Sequence, residues 1–369
     1  MPALVDVRDV LAARVSVLLP VYGGAAHVGA AVESVLAQTY GDFELLVLDD
    51  CSPDDSAAIA EGFGDPRVRV VRNERNLGQV ATLNRGLREA RGELVARLDQ
   101  DDVCLPERFE RQVALLDAEP PVAVVGTWVD VVDEDGRKVD ELRTRLDDAV
   151  DTIFLILVNR LPLAHPSVMF RREPVLEAGG YDEAVRYCED NDLWRRLALA
   201  GHELRVVPEP LLRYLVHGGQ QSSRHWDEQQ ANNDASIERF VHALAPEADA
   251  RLVRIAFTKQ LELWDELAGP EDARRLVGDL ERVVAGAAER FNLAAGQRAA
   301  LADRVRAHVA RLAASGWRTG LRRWQRTAPP LARFAGSGRA RFAATYAAAP
   351  ALALARAAVG RPAAGRQSP

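Results

Sequence analysis

Two clusters of carboxylates are the residues of this sequence best suited to chemistry. The first holds Asp99, Asp101 and Asp102, three acids within four positions. They follow residues 93–98, a mostly apolar run with the pattern of a buried strand. Carboxylates at i and i+2 of an extended segment point to the same side, and Mg²⁺ and Mn²⁺ prefer such oxygen ligands. The residues alone leave two interpretations open, a divalent-cation site and a set of acids solvated in a surface turn.

The second cluster is the pair Glu189 and Asp190, which precedes an apolar-periodic stretch that includes Leu193, Trp194 and Leu197. Acids at a helix N-terminus are favoured by the helix dipole and by capping, so a structural role is one interpretation. The functional interpretation is a general base, because burial in a crevice raises the pKa of a carboxyl group towards working pH. The spacing fits both interpretations.

The elements that position these acids alternate between strand and helix. Short β-rich runs and helical spacing follow each other at 15–19, 27–38, 43–48, 56–62, 68–71, 79–90, 93–98 and 106–118. This alternation predicts an α/β fold with a mostly parallel sheet covered by helices on both faces. Ligands of such sheets bind beyond the carboxyl ends of the strands. Residues 20–22, 49–50 and 99–102 all follow such ends, so we expect them to line one crevice.

The pattern changes along the chain and predicts three parts. Residues 1–226 form the α/β domain, 227–315 form an α-helical C-terminal domain, and 316–369 form a basic tail rich in arginine, alanine and proline. No acid follows Asp303, whereas 13 arginines do, so residues 304–369 carry +13 and residues 1–303 carry −20 of the net charge of −7. Such asymmetry predicts an acidic catalytic body with a basic arm.

The basic tail fits an anionic membrane surface, because Trp317 and Trp324 stand among its arginines. Tryptophan anchors at the interface while arginine meets lipid phosphates. A solvated tail without a partner is the alternative interpretation. Nothing in the chain is typical of a nucleic-acid-binding module, so no nucleic-acid partner is expected.

The cysteine count and the apolar runs bear on the compartment. Three cysteines, an odd number, suit no disulfide framework and predict a reducing environment. No Cys-x-x-Cys pair supports a zinc site. Residues 1–15 lack the pattern of a signal peptide, and apolar runs such as 153–158 fall short of the roughly 20 residues of a membrane span. We expect a cytoplasmic protein that meets the inner face of the cell membrane through its tail.

An ordered series of short motifs gives these features a common context. It comprises VSVLLPVY at 15–22, FELLVLDDCS at 43–52, NLG at 76–78, Asn84, LDQDD at 98–102, HPSVMFRR at 165–172, GGYD at 179–182, EDNDLW at 189–194 and YLVH at 214–217. This series, over residues 14–225, resembles the family 2 inverting glycosyltransferases with the GT-A fold. Each motif is weak alone, but their order is highly specific.

The resemblance implies a role for each matching residue. Asp190 would be the base that deprotonates the acceptor hydroxyl. Asp101, with Asp99 and His217, would bind Mg²⁺ or Mn²⁺ on the donor diphosphate. His165 and Glu189 would lie on the acceptor side, although His165 fits a core histidine equally well. The residues that would bind or shape the nucleotide pocket are Pro20, Val21, Tyr22, Asp50, Asn76, Gly78, Asn84 and Asp99.

The implied activity is metal-dependent, inverting transfer of one sugar from a nucleotide-diphosphate sugar, with UDP as the expected nucleotide. The acceptor would be a hydroxyl of a glycan, a glycolipid or another cell-envelope or natural-product molecule. Residues 221–226 contain one residue too many for the Gln-x-x-Arg-Trp motif of processive synthases, so a non-processive enzyme is expected. Two departures, Gly23 for the usual asparagine and Cys51 for the usual glycine, leave all the acids in place.

Two alternatives come from other classes of protein. A Rossmann-type oxidoreductase would explain Tyr22-Gly23-Gly24 after the first strand and Asp49 at the end of the second. It lacks Gly-x-Gly-x-x-Gly at that turn and leaves the acids at 99–102 and 189–190 unexplained. A non-catalytic relative that acts as a scaffold through its helical half would not need every acid to be present.

Overall fold

The computed structural model describes residues 13–143, 145–159, 163–217, 225–257 and 270–318. The chain forms two compact units, one within residues 1–156 and 160–236 and the other within 157–159 and 237–369. The predicted boundaries after residues 226 and 315 stay predictions. Residues 319–369, most of the predicted basic tail, lie outside the described residues.

The first unit is built on a sheet of nine strands among the described residues. They are β1 Val15–Val21, β2 Phe43–Asp49, β3 Val68–Arg72, β4 Leu94–Arg97, β5 Val103–Cys104, β6 Val122–Val132, β7 Lys138–Leu142, β8 Met169–Arg171 and β9 Glu203–Leu215. Their order is β3-β2-β1-β4-β8-β6-β9-β5, and β7 pairs with β6.

The sheet is mixed, with its parallel part formed by the strands that the helix–strand alternation predicts. β3, β2, β1 and β4 are parallel neighbours, and β6 pairs in parallel with β9. β8 pairs antiparallel with both β4 and β6, as do β7 with β6 and β5 with β9. No sequence motif predicts β5 or β7. β7 follows β6 through a tight turn that contains Gly136 at φ +75°, and such a short connection joins antiparallel strands.

Helices cover the sheet and continue into the second unit. In the first unit, apart from the last residue of α5, they are α1 Val28–Leu36, α2 Ser56–Glu61, α3 Gln79–Glu89, α4 Arg108–Ala118, α5 Ala149–Leu157, α6 Arg172–Glu177 and α7 Glu189–Leu199. α8 Trp226–Leu244 begins in the first unit and ends in the second, which also holds α9 Ala250–Phe257, α10 Pro270–Arg290 and α11 Ala295–Arg318. Residues 258–269, between α9 and α10, lie outside the described residues. None of the helices in the described ranges combines the length and apolarity that crossing a membrane requires.

The central strands are almost continuously apolar because both of their faces are covered. Val15, Val17 and Leu19 of β1 belong to one buried cluster with residues of α1 and α4. A buried cation also lies in these strands, because Arg97 ends β4 with only 1% of its surface exposed. Buried Arg108 of α4 donates from Nη2 to the Arg97 carbonyl oxygen at 2.9 Å. α4 therefore fixes the end of β4, from which the acidic turn leaves.

Candidate active site

The carboxyl ends of β2, β1 and β4 lie side by side, because β1 pairs in parallel with both neighbours. This confirms that the strand ends expected to meet lie at one edge of the sheet. Pro20 and buried Val21 end β1, and Tyr22 follows with 51% of its surface exposed. The Tyr22 N–H donates to Gln100 Oε1 at 2.9 Å, so the first motif is tied to the acidic turn. A Cβ at Gly24 would come within 2.5 Å of Gln100 Oε1, so a larger residue there would displace the Gln100 side chain from this contact.

Asp50 and Asn76 build the turn at 76–78 that faces the end of β2. The buried Asp50 carboxylate accepts the Leu77 N–H at 2.7 Å and the Gly78 N–H at 2.8 Å. Asn76 Oδ1 accepts the same Gly78 N–H at 3.1 Å, and Gly78 adopts φ +86°. Glycine is favoured there because other residues rarely adopt the left-handed region. Buried Asp50 therefore stabilises the conformation of the 76–78 turn.

Cys51 adopts φ +61°, the conformation in which a glycine is most easily accommodated. Cys51, which replaces the usual glycine of the Asp-Asp-Gly-Ser motif, therefore lies where the backbone conformation is unfavourable for a residue with a side chain. The thiol is exposed beside the 76–78 turn, with Sγ 3.9 Å from the Glu74 carbonyl oxygen.

The side-chain amide of Asn84, on α3, forms two hydrogen bonds with the backbone of Tyr181. Its Nδ2 donates to the Tyr181 carbonyl at 2.8 Å, and its Oδ1 accepts the Tyr181 N–H at 2.9 Å. The Tyr181 hydroxyl in turn lies 2.9 Å from His165 Nε2. His165 is buried, and burial together with the charge of Arg97 holds its pKa well below the ordinary value. The structure therefore links Asn84 and His165 through one tyrosine.

The acids at 99–102 occupy a turn, which corrects the extended geometry assumed from the sequence. The Asp102 N–H donates to the Asp99 carbonyl at 3.3 Å, and this turn brings the third carboxylate to the other two. One oxygen from each of Asp99, Asp101 and Asp102 lies within 4.8 Å of the others. Asp102 Oδ1 accepts the Leu215 N–H at 3.0 Å, so this acid also ties β9 to the turn.

Burial and the neighbouring acids disfavour the charged form of Asp102. Burial, followed by the charges of Asp99 and Asp101, raises the pKa of Asp102 well above its ordinary value. Asp102 Oδ2 is buried and has no hydrogen-bond partner among the described residues. His217 adds a ring nitrogen, because its Nε2 lies 3.0 Å from Asp101 Oδ2. Converging carboxylate oxygens, one of them without a donor, form a set that fits a hard divalent cation.

Arg97 and His27 belong to this site although no motif indicated them. The Arg97 guanidinium forms an ion pair with Asp99, and the His27 ring lies 5.7 Å from that of His217 between centroids. The sequence did contain a signal for Arg97, which is a charged residue inside the apolar run 94–98. An arginine buried in such a strand needs an acidic partner, and this predicts an ion pair nearby. His27 gave no signal, since a lone histidine before an amphipathic helix is unremarkable.

Glu189 and Asp190 form the first turn of α7, where the helix dipole favours acids. Burial raises the pKa of Asp190, while its hydrogen bond from the Asn191 N–H at 2.7 Å and the charge of Arg97 act in the opposite direction. Burial and the neighbouring Asp190 raise the pKa of Glu189 to about 7. Glu189 Oε2 has no hydrogen-bond partner within the described part of the chain.

Arg97 connects the two acidic clusters electrostatically. Its positive charge lowers the pKa of Asp99, which it contacts, and also those of Glu189 and Asp190, while burial raises all three. The site therefore combines a carboxylate cluster whose donor set suits a cation with a partly buried carboxylate that can accept a proton, and Arg97 acts electrostatically on both.

This mixed sheet with acids at its strand ends is the fold of a GT-A-type glycosyltransferase, and comparison with solved structures supports that class. A Staphylococcus aureus TarS structure, of residues 1–349 in complex with UDP-GlcNAc, superposes with a TM-score of 0.55 at 17% identity. The match covers 83% of this chain and 92% of that one. At this identity the similarity concerns the fold.

Sequence comparison then identifies the family. The glycosyl transferase family 2 model matches residues 16–179. The amylovoran biosynthesis glycosyltransferase AmsE of Erwinia amylovora is 35% identical over 49% of this chain and 68% of its own length. The O-antigen biosynthesis glycosyltransferase WbnJ of Escherichia coli is 30% identical over 55% of this chain and 80% of its own length. The chain belongs to glycosyltransferase family 2, which confirms the predicted family and enzyme class and excludes the oxidoreductase alternative.

The raised pKa of Glu189 predicts a specific dependence of stability on pH. The folded protein retains this proton between about pH 4.5 and 7, whereas the unfolded chain releases it, so folding stability falls as pH rises through that window. Replacing Glu189 by Gln removes this loss. We expect the variant to gain about 2–3 kcal/mol more relative to wild type at pH 8 than at pH 5, measured by thermal or urea unfolding.

The control for this experiment is Glu183→Gln, which changes an exposed glutamate in the segment before α7. Its effect should be the same at both pH values. A Glu189→Gln variant whose stability relative to wild type does not change between pH 5 and pH 8 would show that Glu189 titrates normally.

Proposed function

We propose that this family 2 enzyme is a metal-dependent, inverting glycosyltransferase that moves one sugar from a UDP-sugar to an acceptor hydroxyl. The observation that carries the proposal is the arrangement of the carboxylates at 99–102 and the carboxylate of Asp190 around Arg97. The first cluster suits a cation with a diphosphate, and the second suits proton abstraction. The UDP-GlcNAc named with TarS supports the choice of UDP.

On the donor side, Asp101, Asp99 and His217 would hold Mg²⁺ or Mn²⁺. Such an ion, when bound, supplies Lewis-acid stabilisation of the charge on the departing diphosphate. Tyr22 and the turn at 76–78 would enclose the nucleotide, together with Pro20, Val21, Asp50 and Asn84 in supporting positions. Asp102 would hold the turn through the hydrogen bond that its Oδ1 accepts from Leu215, and its Oδ2, without a donor among the described residues, would remain available as a further ligand.

On the acceptor side, Asp190 would take the proton of the acceptor hydroxyl as its oxygen attacks the anomeric carbon. The new glycosidic bond forms on the face opposite the diphosphate, the bond to the diphosphate oxygen breaks, and configuration inverts. The transition state has oxocarbenium character, as in glycoside hydrolysis. A raised pKa improves Asp190 as a proton acceptor. Glu189, with a pKa of about 7, would be protonated in part and would donate a hydrogen bond to an oxygen of the molecule that receives the sugar.

The names of the relatives indicate the class of acceptor that we propose. AmsE, WbnJ and the succinoglycan biosynthesis protein ExoO of Rhizobium meliloti are named for polysaccharide assembly. ExoO is 30% identical over 69% of this chain and 75% of its own length. A growing glycan or lipid-linked glycan of the cell envelope is therefore the proposed acceptor.

The test of this mechanism is the Asp190→Asn variant. A positioned base contributes roughly 10²–10⁴-fold to rate, so release of UDP from UDP-glucose, UDP-galactose and UDP-GlcNAc with Mn²⁺ should fall at least about 100-fold. UDP affinity, measured by calorimetry, should change less than about threefold, because the donor residues lie on other elements.

The matched control is Asp135→Asn, which alters an exposed acid in the turn between β6 and β7 and should leave UDP release unchanged. Retention by Asp190→Asn of more than about a tenth of the wild-type rate would show that Asp190 is not the base.

We also propose that the basic tail holds the enzyme at an anionic membrane surface. The tail, residues 316–369, contains ten arginines and no acid, and Trp317 and Trp324 stand among them. Polybasic segments gain about 1 kcal/mol per basic residue near such a surface. The full chain should sediment with vesicles that contain phosphatidylglycerol and should be released by high salt. Equal binding to phosphatidylcholine vesicles, or no binding to either, would contradict this role.

A further inference from the structure

The first three turns of α8 contact the segment that carries Glu189 and Asp190. Asn232, Asn233 and Ser236 stand at i, i+1 and i+4 of this helix and therefore on one face. These residues belong to the first unit together with α7. They lie beyond the residues 16–179 that the family model matches, and no sequence motif included them.

Asn233 makes the central contact. Its Oδ1 accepts a hydrogen bond from Arg195 Nη2 at 2.6 Å and another from Cys188 Sγ at 3.3 Å. Cys188 is the residue before the first turn of α7, and Arg195 lies two turns further on. Asn233 is only 6% exposed and Arg195 only 2%. One buried oxygen therefore ties the beginning of α7 to its middle, with Asp190 between the two contacts.

Three further contacts, made by α8 and the residue before it, join the chain on either side of the first turn of α7. Asn232 Nδ2 donates to the Arg186 carbonyl at 2.8 Å. The His225 ring, just before α8, stacks on Tyr187 with centroids 4.2 Å apart and planes 6° apart. Ser236 Oγ donates to Asp192 Oδ1 at 2.9 Å.

Tyr187 shows why this part of the chain needs support. Its φ of +61° is unfavourable for a residue with a bulky side chain, so contacts nearby must hold it. The unusual backbone immediately precedes Cys188 and the first turn of α7. The position of the acid pair therefore depends on contacts made by another helix.

We propose that Asn233 is a positioning residue, which holds the first turn of α7 so that the Asp190 carboxylate meets the acceptor oxygen. The proposal rests on the proposed function of Asp190 as base. Catalysis is sensitive to such placement, because a misplacement of about 1 Å can cost on the order of 100-fold in rate. The donor residues stand on β1, β2, β4 and the turns that follow them, so donor affinity does not depend on Asn233.

The experiment compares Asn233→Ala with Asn233→Asp in the full-length protein. UDP release is measured with Mn²⁺ and the UDP-sugar that the wild type hydrolyses fastest, and kcat is expressed per UDP-binding site counted by calorimetry. Asn233→Ala should lower kcat about 10- to 100-fold and change the donor KM less than about threefold. Asn233→Asp keeps an acceptor oxygen at the same place and should restore kcat to within about threefold of wild type.

Gln229→Ala is the control, because it removes an amide from the same helix that makes no hydrogen bond to α7 within the described residues. Its kcat should equal that of the wild type. A residue needed only for folding would reduce the number of binding sites and leave kcat per site unchanged. That result for Asn233→Ala, or a rise in KM at constant kcat, would overturn the proposal.

Ser236→Ala decides the question if Asn233→Ala does not fold. It removes a single hydrogen bond to Asp192 and should lower kcat per site about threefold or more at constant KM. Unchanged kcat would count against the proposal.

Asp190→Asn in the same series separates the proposed role of Asn233 from the proposed role of Asp190. If only Asp190→Asn loses activity, the role of Asn233 is wrong and that of Asp190 stands, whereas an active Asp190→Asn would overturn the proposed function itself.

Discussion

The site depends on one buried guanidinium that stands among more carboxylates than it can neutralise. Arg97 pairs with Asp99 and also acts on Glu189 and Asp190, but the three acids of the turn at 99–102 exceed its single charge. Burying like charges is costly unless something of opposite sign joins them. This cost arises at the proposed donor site, and perturbed ionisable groups commonly cluster at functional sites.

Most of the surrounding architecture serves to hold these charges in place. β1 lies between β2 and β4, so three strand ends share one edge. Arg108 fixes the last carbonyl of β4, and the bond from Leu215 to Asp102 fixes the turn from the other side. The acid pair belongs to a separate element, α7, whose first turn is attached to α8. The proposed donor and acceptor sides are thus held by different contacts, and substitutions can affect one without the other.

The sequence was most informative where the physical signal is local. Apolar runs and helical spacing predicted the parallel strands and their helices within a few residues, and ordered motifs predicted the family. Only β5 and β7 were missed, because they are short or fully exposed and carry no apolar pattern. The pairing of Arg97 with Asp99, the closeness of His27 to His217 and the contacts of Asn233 depend on tertiary packing. No periodicity in the chain encodes them.

The proposed function requires that a divalent cation bearing the donor diphosphate completes the acid cluster at 99–102. The most direct measurement is calorimetric titration of the wild-type protein with UDP, in Mn²⁺ and after removal of divalent ions by EDTA. Without the cation, the diphosphate would face three carboxylates, so UDP should bind at least about tenfold more weakly, a difference of about 1.4 kcal/mol or more. Equal affinity under both conditions would contradict the claim.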